Sequence, residues 1–171
     1  MRAPALLLLT ALLPLRAGAD TPTIYGRYEQ VAVPALGVVF DAKLDTGADL
    51  SSLSADVTGF FERRGERWVR FHLAGTDDDR TMHEARLLRV QHVRRRGEDR
   101  LASGGDASAT RARPVIALRF CLGGVSRVEE INLTDRADQS QQLLVGENML
   151  RDYGIAVDVA RRGLAGPAVC P

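Results

Sequence analysis

Lysine is nearly missing from this chain of 171 residues: it carries 23 basic side chains, and Lys43 is the only lysine among them. Arginine supplies the rest, a bias of composition that by itself assigns no function. Acidic residues number 22, and the resulting net charge of +1 excludes the strongly basic surface of a dedicated nucleic-acid binder. Cysteine is scarce as well. Cys121 and Cys170 allow at most one disulfide, which would tie the C-terminal tail to a strand; two separate thiols are the other arrangement, since sequence does not supply the distance. No glycine-rich phosphate loop occurs, and His83-Glu84 lacks the second histidine of a His-Glu-x-x-His helix. His72, His83 and His92 are spaced like scattered strand residues, so neither a nucleotide cofactor nor a metal is expected.

The N-terminus has its own pattern. Met1-Arg2, the apolar stretch Pro4 to Leu15, and Ala17-Gly18-Ala19 before Asp20 describe a secretory signal peptide over residues 1–19. The stretch is short and broken by Pro14, which argues against a stable membrane span. Residues 20–171 are then one exported domain, periplasmic or secreted, large enough to bury a core.

Within that domain the signal is mostly strand. Tyr28 to Val33 alternates, and Leu36 to Leu44 is an apolar run rich in β-branched residues. Val69, Phe71 and Leu73 share one face, with Arg70 and His72 on the other. Ile116, Leu118, Phe120 and Leu122 repeat the pattern before Gly123-Gly124, and Val125 to Leu133 reads as the return arm of a hairpin. Leu143-Leu144-Val145 is a short buried run. Asn148 to Tyr153 predicts a short helix stopped by Gly154, with a last strand over Ile155 to Val159. These short strands predict an all-β, closed single-domain barrel with one short C-terminal helix and a core over about 24–160. Gly75 to Arg80 predicts a solvated loop tip, and residues 94–113 a mobile insertion.

The chemistry concentrates in Asp45-Thr46-Gly47-Ala48, where an apolar segment delivers one carboxylate into a turn. Hydrolysis by carboxyls alone needs two of them close together, sharing one proton: the charged member takes a proton from water and the neutral one polarises the carbonyl. Thr46 suits a hydrogen bond to a counterpart loop, and Gly47 lets the backbone approach carboxyl and substrate. The triplet occurs once. Asp158-Val159-Ala160 follows apolar residues but has neither the hydroxyl nor the glycine.

Asp45-Thr46-Gly47-Ala48-Asp49 followed by Leu53, with Leu143-Leu144-Val145-Gly146 and Glu147-Asn148-Met149-Leu150 downstream, resembles the retropepsins, the single-domain aspartic peptidases of retroviral type. Six blocks extend the likeness over nearly the whole mature chain: Tyr25-Gly26-Arg27-Tyr28-Glu29, Ala42 to Ala48, Trp68-Val69-Arg70-Phe71, Arg113-Pro114-Val115-Ile116, Leu133-Thr134-Asp135-Arg136 and Leu144-Val145-Gly146. In order, they are similar to a bacterial retropepsin-like family historically labelled an ATP-dependent zinc protease. The resemblance implies a retropepsin-like barrel with Asp45, Thr46 and Gly47 as the catalytic loop and Ala48 and Asp49 facing substrate. Leu144, Val145 and Gly146 would support that loop from beneath.

One departure stands out. Retropepsins usually place an arginine after the glycine of the second element, able to pair with the aspartate two residues beyond the catalytic glycine. Here those positions are Glu147 and Asp49, so that pair cannot form. Arg136 or Arg151 neutralises Asp49 instead, or Asp49 faces water. The flap that retropepsins close over substrate falls best between Leu87 and Arg113, with Gly97 or Gly104-Gly105 at its tip.

Two functions remain in competition at this level. The first is an exported aspartic endopeptidase acting on peptide or protein, its Asp45 dyad completed by a homodimer. The second is a non-catalytic barrel that grips an extended peptide or envelope partner by strand addition.

Overall fold

Alternating apolar runs punctuated by glycines fold into ten strands and one short helix in the computed structural model, which describes residues 21–75, 80–94, 110–136 and 138–171. The strands are β1 (Thr23–Val33), β2 (Val38–Leu44), β3 (Ser51–Arg63), β4 (Glu66–Leu73), β5 (His83–Arg86), β6 (Arg89–Arg94), β7 (Thr110–Leu122), β8 (Val125–Thr134), β9 (Leu143–Val145) and β10 (Ile155–Arg162). The helix α1 spans Glu147–Asp152. The proposed leader, residues 1–19, lies outside the described residues, as do the centre of the Gly75 to Arg80 tip and most of the 94–113 segment.

Six strands close a ring in the order β1, β2, β9, β3, β8, β7 and back to β1. The seam between β7 and β1 is narrow, a single partnership of Ala32 with Cys121. Closure leaves the ring itself without a free edge. The fold is therefore an all-β, single-domain, retropepsin-like barrel with one short helix. Outside the ring, β10 runs parallel to β1, β6 extends β7, and β4 and β5 extend the far half of β3.

The alternation predicted from sequence sorts residues as expected. Val69, Phe71 and Leu73 are all fully buried, as are Ile116, Phe120 and Leu122. They pack with Leu53, Ile131, Leu143, Val145 and Met149 into one core. Two hairpins turn tightly through residue pairs with positive φ, Arg64-Gly65 and Gly123-Gly124, the geometry that matches strand twist. Gly123 has a second reason to be glycine, because a Cβ there would lie 1.7 Å from the Tyr25 hydroxyl.

Several boundaries differ from those read in the sequence. Pro34–Leu36 forms a 3₁₀ turn, so β2 starts at Val38; proline at the start of that turn has no N–H to give a ladder. The helix begins one residue earlier, at Glu147, and β10 continues to Arg162. Arg94 and Arg111 to Arg113, assigned to a mobile insertion, instead belong to a β6–β7 ladder running from Arg89↔Val115 to Arg94↔Thr110. Charge misled there: Arg111 is exposed on the ladder, and an exposed strand residue is free to be charged.

The C-terminal tail is tied down twice. Cys121 and Cys170 form a disulfide, their Cα atoms 5.2 Å apart. Glu29, 2% exposed, accepts backbone N–H groups from Gly26 (2.5 Å), Leu164 (2.8 Å) and Ala165 (3.0 Å). A buried carboxylate with three donors is a satisfied anchor.

Candidate functional site

Strand β2 carries the chain to Asp45, and β9 holds it there. β9 lies between β2 and β3, parallel to the first and antiparallel to the second. The Asp45 N–H donates to the Val145 carbonyl at 2.8 Å, which continues the β2–β9 ladder one residue into the loop. The chain then turns through Thr46, Gly47 and Ala48 and returns as β3. Thr46, Gly47 and Asp49 are exposed, whereas Ala48 is half-buried. Of the predicted support residues, Val145 is fully buried and Leu144 nearly so.

Gly146 earns its place by proximity. A Cβ there would stand 2.7 Å from the Ala48 carbonyl oxygen and from the Leu50 carbonyl carbon, and 2.9 Å from the Ser51 nitrogen. Its φ of −91° is open to any residue, so space and not backbone conformation demands glycine. The start of α1 adds donors to the same loop. Glu147 N–H reaches the Ala48 carbonyl at 2.7 Å, and Asn148 N–H reaches that of Asp49 at 3.3 Å.

Two residues of this support were not singled out from sequence. Asn148 Oδ1 accepts both the Ser51 N–H (2.9 Å) and the Ser51 hydroxyl (3.0 Å), and its Nδ2 donates to the Glu130 carbonyl at 3.0 Å. The Ser51 oxygen in turn accepts the Gly146 N–H at 2.9 Å. A serine opening a buried strand and an asparagine in the first turn of a helix were the available signals. Deeper in, Asn132 accepts from the Ser52 hydroxyl at 2.9 Å and donates to the Ser51 carbonyl at 3.0 Å.

The carboxyl of Asp45 has two different partners. Gly47 N–H donates to Oδ1 at 3.0 Å, and the Lys43 ammonium donates to Oδ2 at 2.9 Å. The Lys43 hydrogen bond holds the Asp45 carboxyl below its ordinary value; burial opposes this, while the Gly47 N–H and the charges of Lys43 and Arg136 reinforce it. Arg136 is pushed down by its own burial and partly restored by the charge of Asp45. It is held by its N–H to the Ser54 hydroxyl at 3.1 Å and by Nε to the Gln141 carbonyl at 3.4 Å.

The charge of Arg136 acts on Asp45, and Arg151 pairs with Glu147 at 3.1 Å. Of the arrangements open for Asp49, the structure shows the exposed one, with no ion pair among the described residues. His72, His83 and His92 sit on β4, β5 and β6. Among the described residues no group of three or more His, Cys, Asp or Glu side chains is placed to hold a metal ion, and no helix is long and apolar enough to cross a membrane.

The stem of the predicted flap is the β6–β7 hairpin; Gly97, Gly104 and Gly105 lie outside the described residues. A groove of about 510 Å³ opens between this stem, the far half of β3 and the end of β8, lined in part by Val57, Phe60, Val90, Pro114 and Leu133. It includes no residue of the Asp45 loop.

The chain is similar to proteins known from sequence and to a solved structure. Two proteins named probable alpha-L-glutamate ligase, from Shewanella pealeana and Shewanella halifaxensis, are each 32% identical over 77% of this chain. The chain spans 28% of the length of each of these curated relatives. A solved structure of a Legionella pneumophila protein of unknown function superposes with a TM-score of 0.66 at 29% identity, covering 83% of this chain and 97% of that one. The model of the RimB-like family, described as retropepsin-like aspartic endopeptidase RimB, matches residues 24–167. With the barrel, the Asp45 turn and the β9 strand beneath it, that match places this chain in the RimB-like family of retropepsin-like aspartic endopeptidases.

Proposed function

We propose that the protein is an exported aspartic endopeptidase whose active site forms when two copies bring their Asp45 loops together about a two-fold axis. One observation carries this reading: a retropepsin-type loop, built and braced from beneath, presents Asp45 with Thr46 and Gly47 exposed beside it. A two-fold axis supplies the second carboxylate by rotation, with no second motif in the sequence. Thr46 of each copy is then free to hydrogen-bond across the axis, and Ala48 and Asp49 line the approach of the substrate backbone.

The reaction follows from a dyad holding one proton. The ionised Asp45 takes a proton from a water lying between the carboxyls, and the water oxygen bonds to the scissile carbonyl carbon. The protonated Asp45 of the other copy gives its proton to the carbonyl oxygen, producing a neutral tetrahedral diol. Collapse breaks the C–N bond; one diol hydroxyl returns its proton to the dyad, and the leaving nitrogen takes one from it. The two titrations belong to the pair. The stem of β6 and β7 suits a lid that excludes water during these steps. The name of the ligase relatives belongs to proteins of which this chain matches 28% of the length, and does not compete with this reading.

Export rests on the leader pattern of residues 1–19. A second reading, a peptide-gripping barrel without cleavage, draws on the fact that both Asp45 oxygens already have partners within one protomer. Sedimentation analysis combined with peptide cleavage separates the two. A dimer that cleaves peptide, responds to an aspartic-peptidase inhibitor and loses cleavage in Asp45→Asn supports the enzyme. A monomer that binds peptide and never cuts it supports the alternative, and full activity in Asp45→Asn would refute the mechanism.

A further inference from the structure

The only lysine in the chain sits two residues before Asp45, near the end of β2, and Asp45 continues the ladder of that strand one residue into the loop. Alternation along β2 sends Ala42 and Leu44 into the core and leaves Lys43 and Asp45 together on the opposite side. Every other basic side chain is arginine, so the bias of composition that favours arginine elsewhere does not account for a lysine here. Its ammonium lies 2.9 Å from Asp45 Oδ2, while the other oxygen is engaged by Gly47 N–H at 3.0 Å.

We propose that Lys43 is a positioning residue of the active site: it and the Gly47 N–H each take one oxygen of Asp45, fixing the orientation of the carboxylate before a second loop arrives. The consequence for catalysis rests on the peptidase reading above; the effect on Asp45 itself does not. The charged groups that act on Asp45 are Lys43 from β2 and Arg136 from the segment after β8, both cationic. β9, packed alongside, contributes Leu143, Leu144 and Val145, none of them ionisable. Glu147 at the start of α1 is paired with Arg151, and Asp49 on the loop is exposed.

Two aspartates brought to a common axis repel each other when both are ionised. Here each arrives with an ammonium already in contact, so part of that repulsion is offset within its own protomer. A lysine suits the task because its donors are compact and rotate on a flexible stem, so it can keep Oδ2 while the carboxylate adjusts to water. Removing the cation makes each carboxyl hold its proton more tightly. Both limbs of the activity profile then move to higher pH.

The test is a carboxyl-carbon NMR titration of Asp45 in the full mature chain, run on wild type, Lys43→Met, Lys43→Gln and Lys43→Arg, with pH profiles of peptide cleavage on the same samples. The Asp45 midpoint is expected to rise in Lys43→Met and Lys43→Gln and to return toward wild type in Lys43→Arg. Cleavage at each variant's own optimum pH should fall through kcat more than KM, by up to about 100-fold, with the profile displaced in the alkaline direction. Glutamine keeps a donor without the charge, and it serves should the methionine variant not fold. An Asp45 midpoint unchanged in a folded, uncharged variant overturns the proposal. A raised midpoint in a protein whose wild type never cleaves peptide leaves the positioning role standing and sinks the peptidase reading instead.

Discussion

Asn148 and Ser51 stand 97 residues apart in sequence, yet one amide oxygen of Asn148 accepts both the backbone N–H and the hydroxyl of Ser51. The contact joins the first turn of α1 to the start of β3, and so closes the loop that bears Asp45. Asn148→Ala leaves both Ser51 donors without that acceptor, in a region where Ser51 is fully buried. The expected loss is about 1–3 kcal/mol of unfolding free energy, measured by urea denaturation. Peptide cleavage should drop further than stability does, because the loop is loosened where geometry matters most. Unaltered stability and activity would show the bond to be dispensable.

Gly146→Ala is a sharper lesion than its size suggests. The added methyl meets backbone atoms of residues 48, 50 and 51 at 2.7 to 2.9 Å, and backbone cannot swing aside as a flexible side chain can. Overpacking of this kind costs about 1–3 kcal/mol. Since the chain that must yield is the Asp45 loop itself, kcat should fall while the barrel still folds. Circular dichroism and cleavage on one sample check both halves of this expectation.

Tyr153 gives a prediction in alkali. Its hydroxyl donates to the Phe120 carbonyl at 2.8 Å, and burial first, then the charge of Glu129, push its pKa up to about 12 from an ordinary value of 10.0. A group with a raised folded value contributes stability that is complete below the unfolded value and is lost as pH rises toward the folded one. Stability should therefore decline between about pH 10 and 12. Tyr153→Phe should flatten that decline while lowering stability at neutral pH. Chemical denaturation across that range reads both effects, and an identical slope in the variant would refute the assignment.

The disulfide between Cys121 and Cys170 closes 49 residues of chain. Replacing both cysteines by serine should cost about 2–4 kcal/mol. The Glu29 contacts to Leu164 and Ala165 should keep the tail partly docked, so Glu29→Ala in the cysteine-free background should release it to proteolysis. Limited digestion followed by mass measurement distinguishes a docked tail from a free one.

What could be read from sequence was what repeats or is local. The alternation of Val69, Phe71 and Leu73 and the Gly123-Gly124 turn lie within a few residues, and short-range sterics decide them. Charge was a poorer guide, because Arg111 and Ala112 are both exposed although they lie on a strand, and so read as a loop.

The sequence by itself determined the strands, the Asp45 turn and the short buried run of Leu143 to Gly146, because hydrophobic period and turn chemistry are properties of neighbouring residues. Tertiary structure alone decided which distant groups meet that turn. Asn148 reaches Ser51, Gly146 leaves room for Ala48, and the charge of Arg136 acts on Asp45. Each of these depends on strand order, since β9 must pass between β2 and β3 before residues near position 146 lie beside the loop after residue 45. Strand order is set by closing the ring around one shared core, and no local pattern encodes that distance.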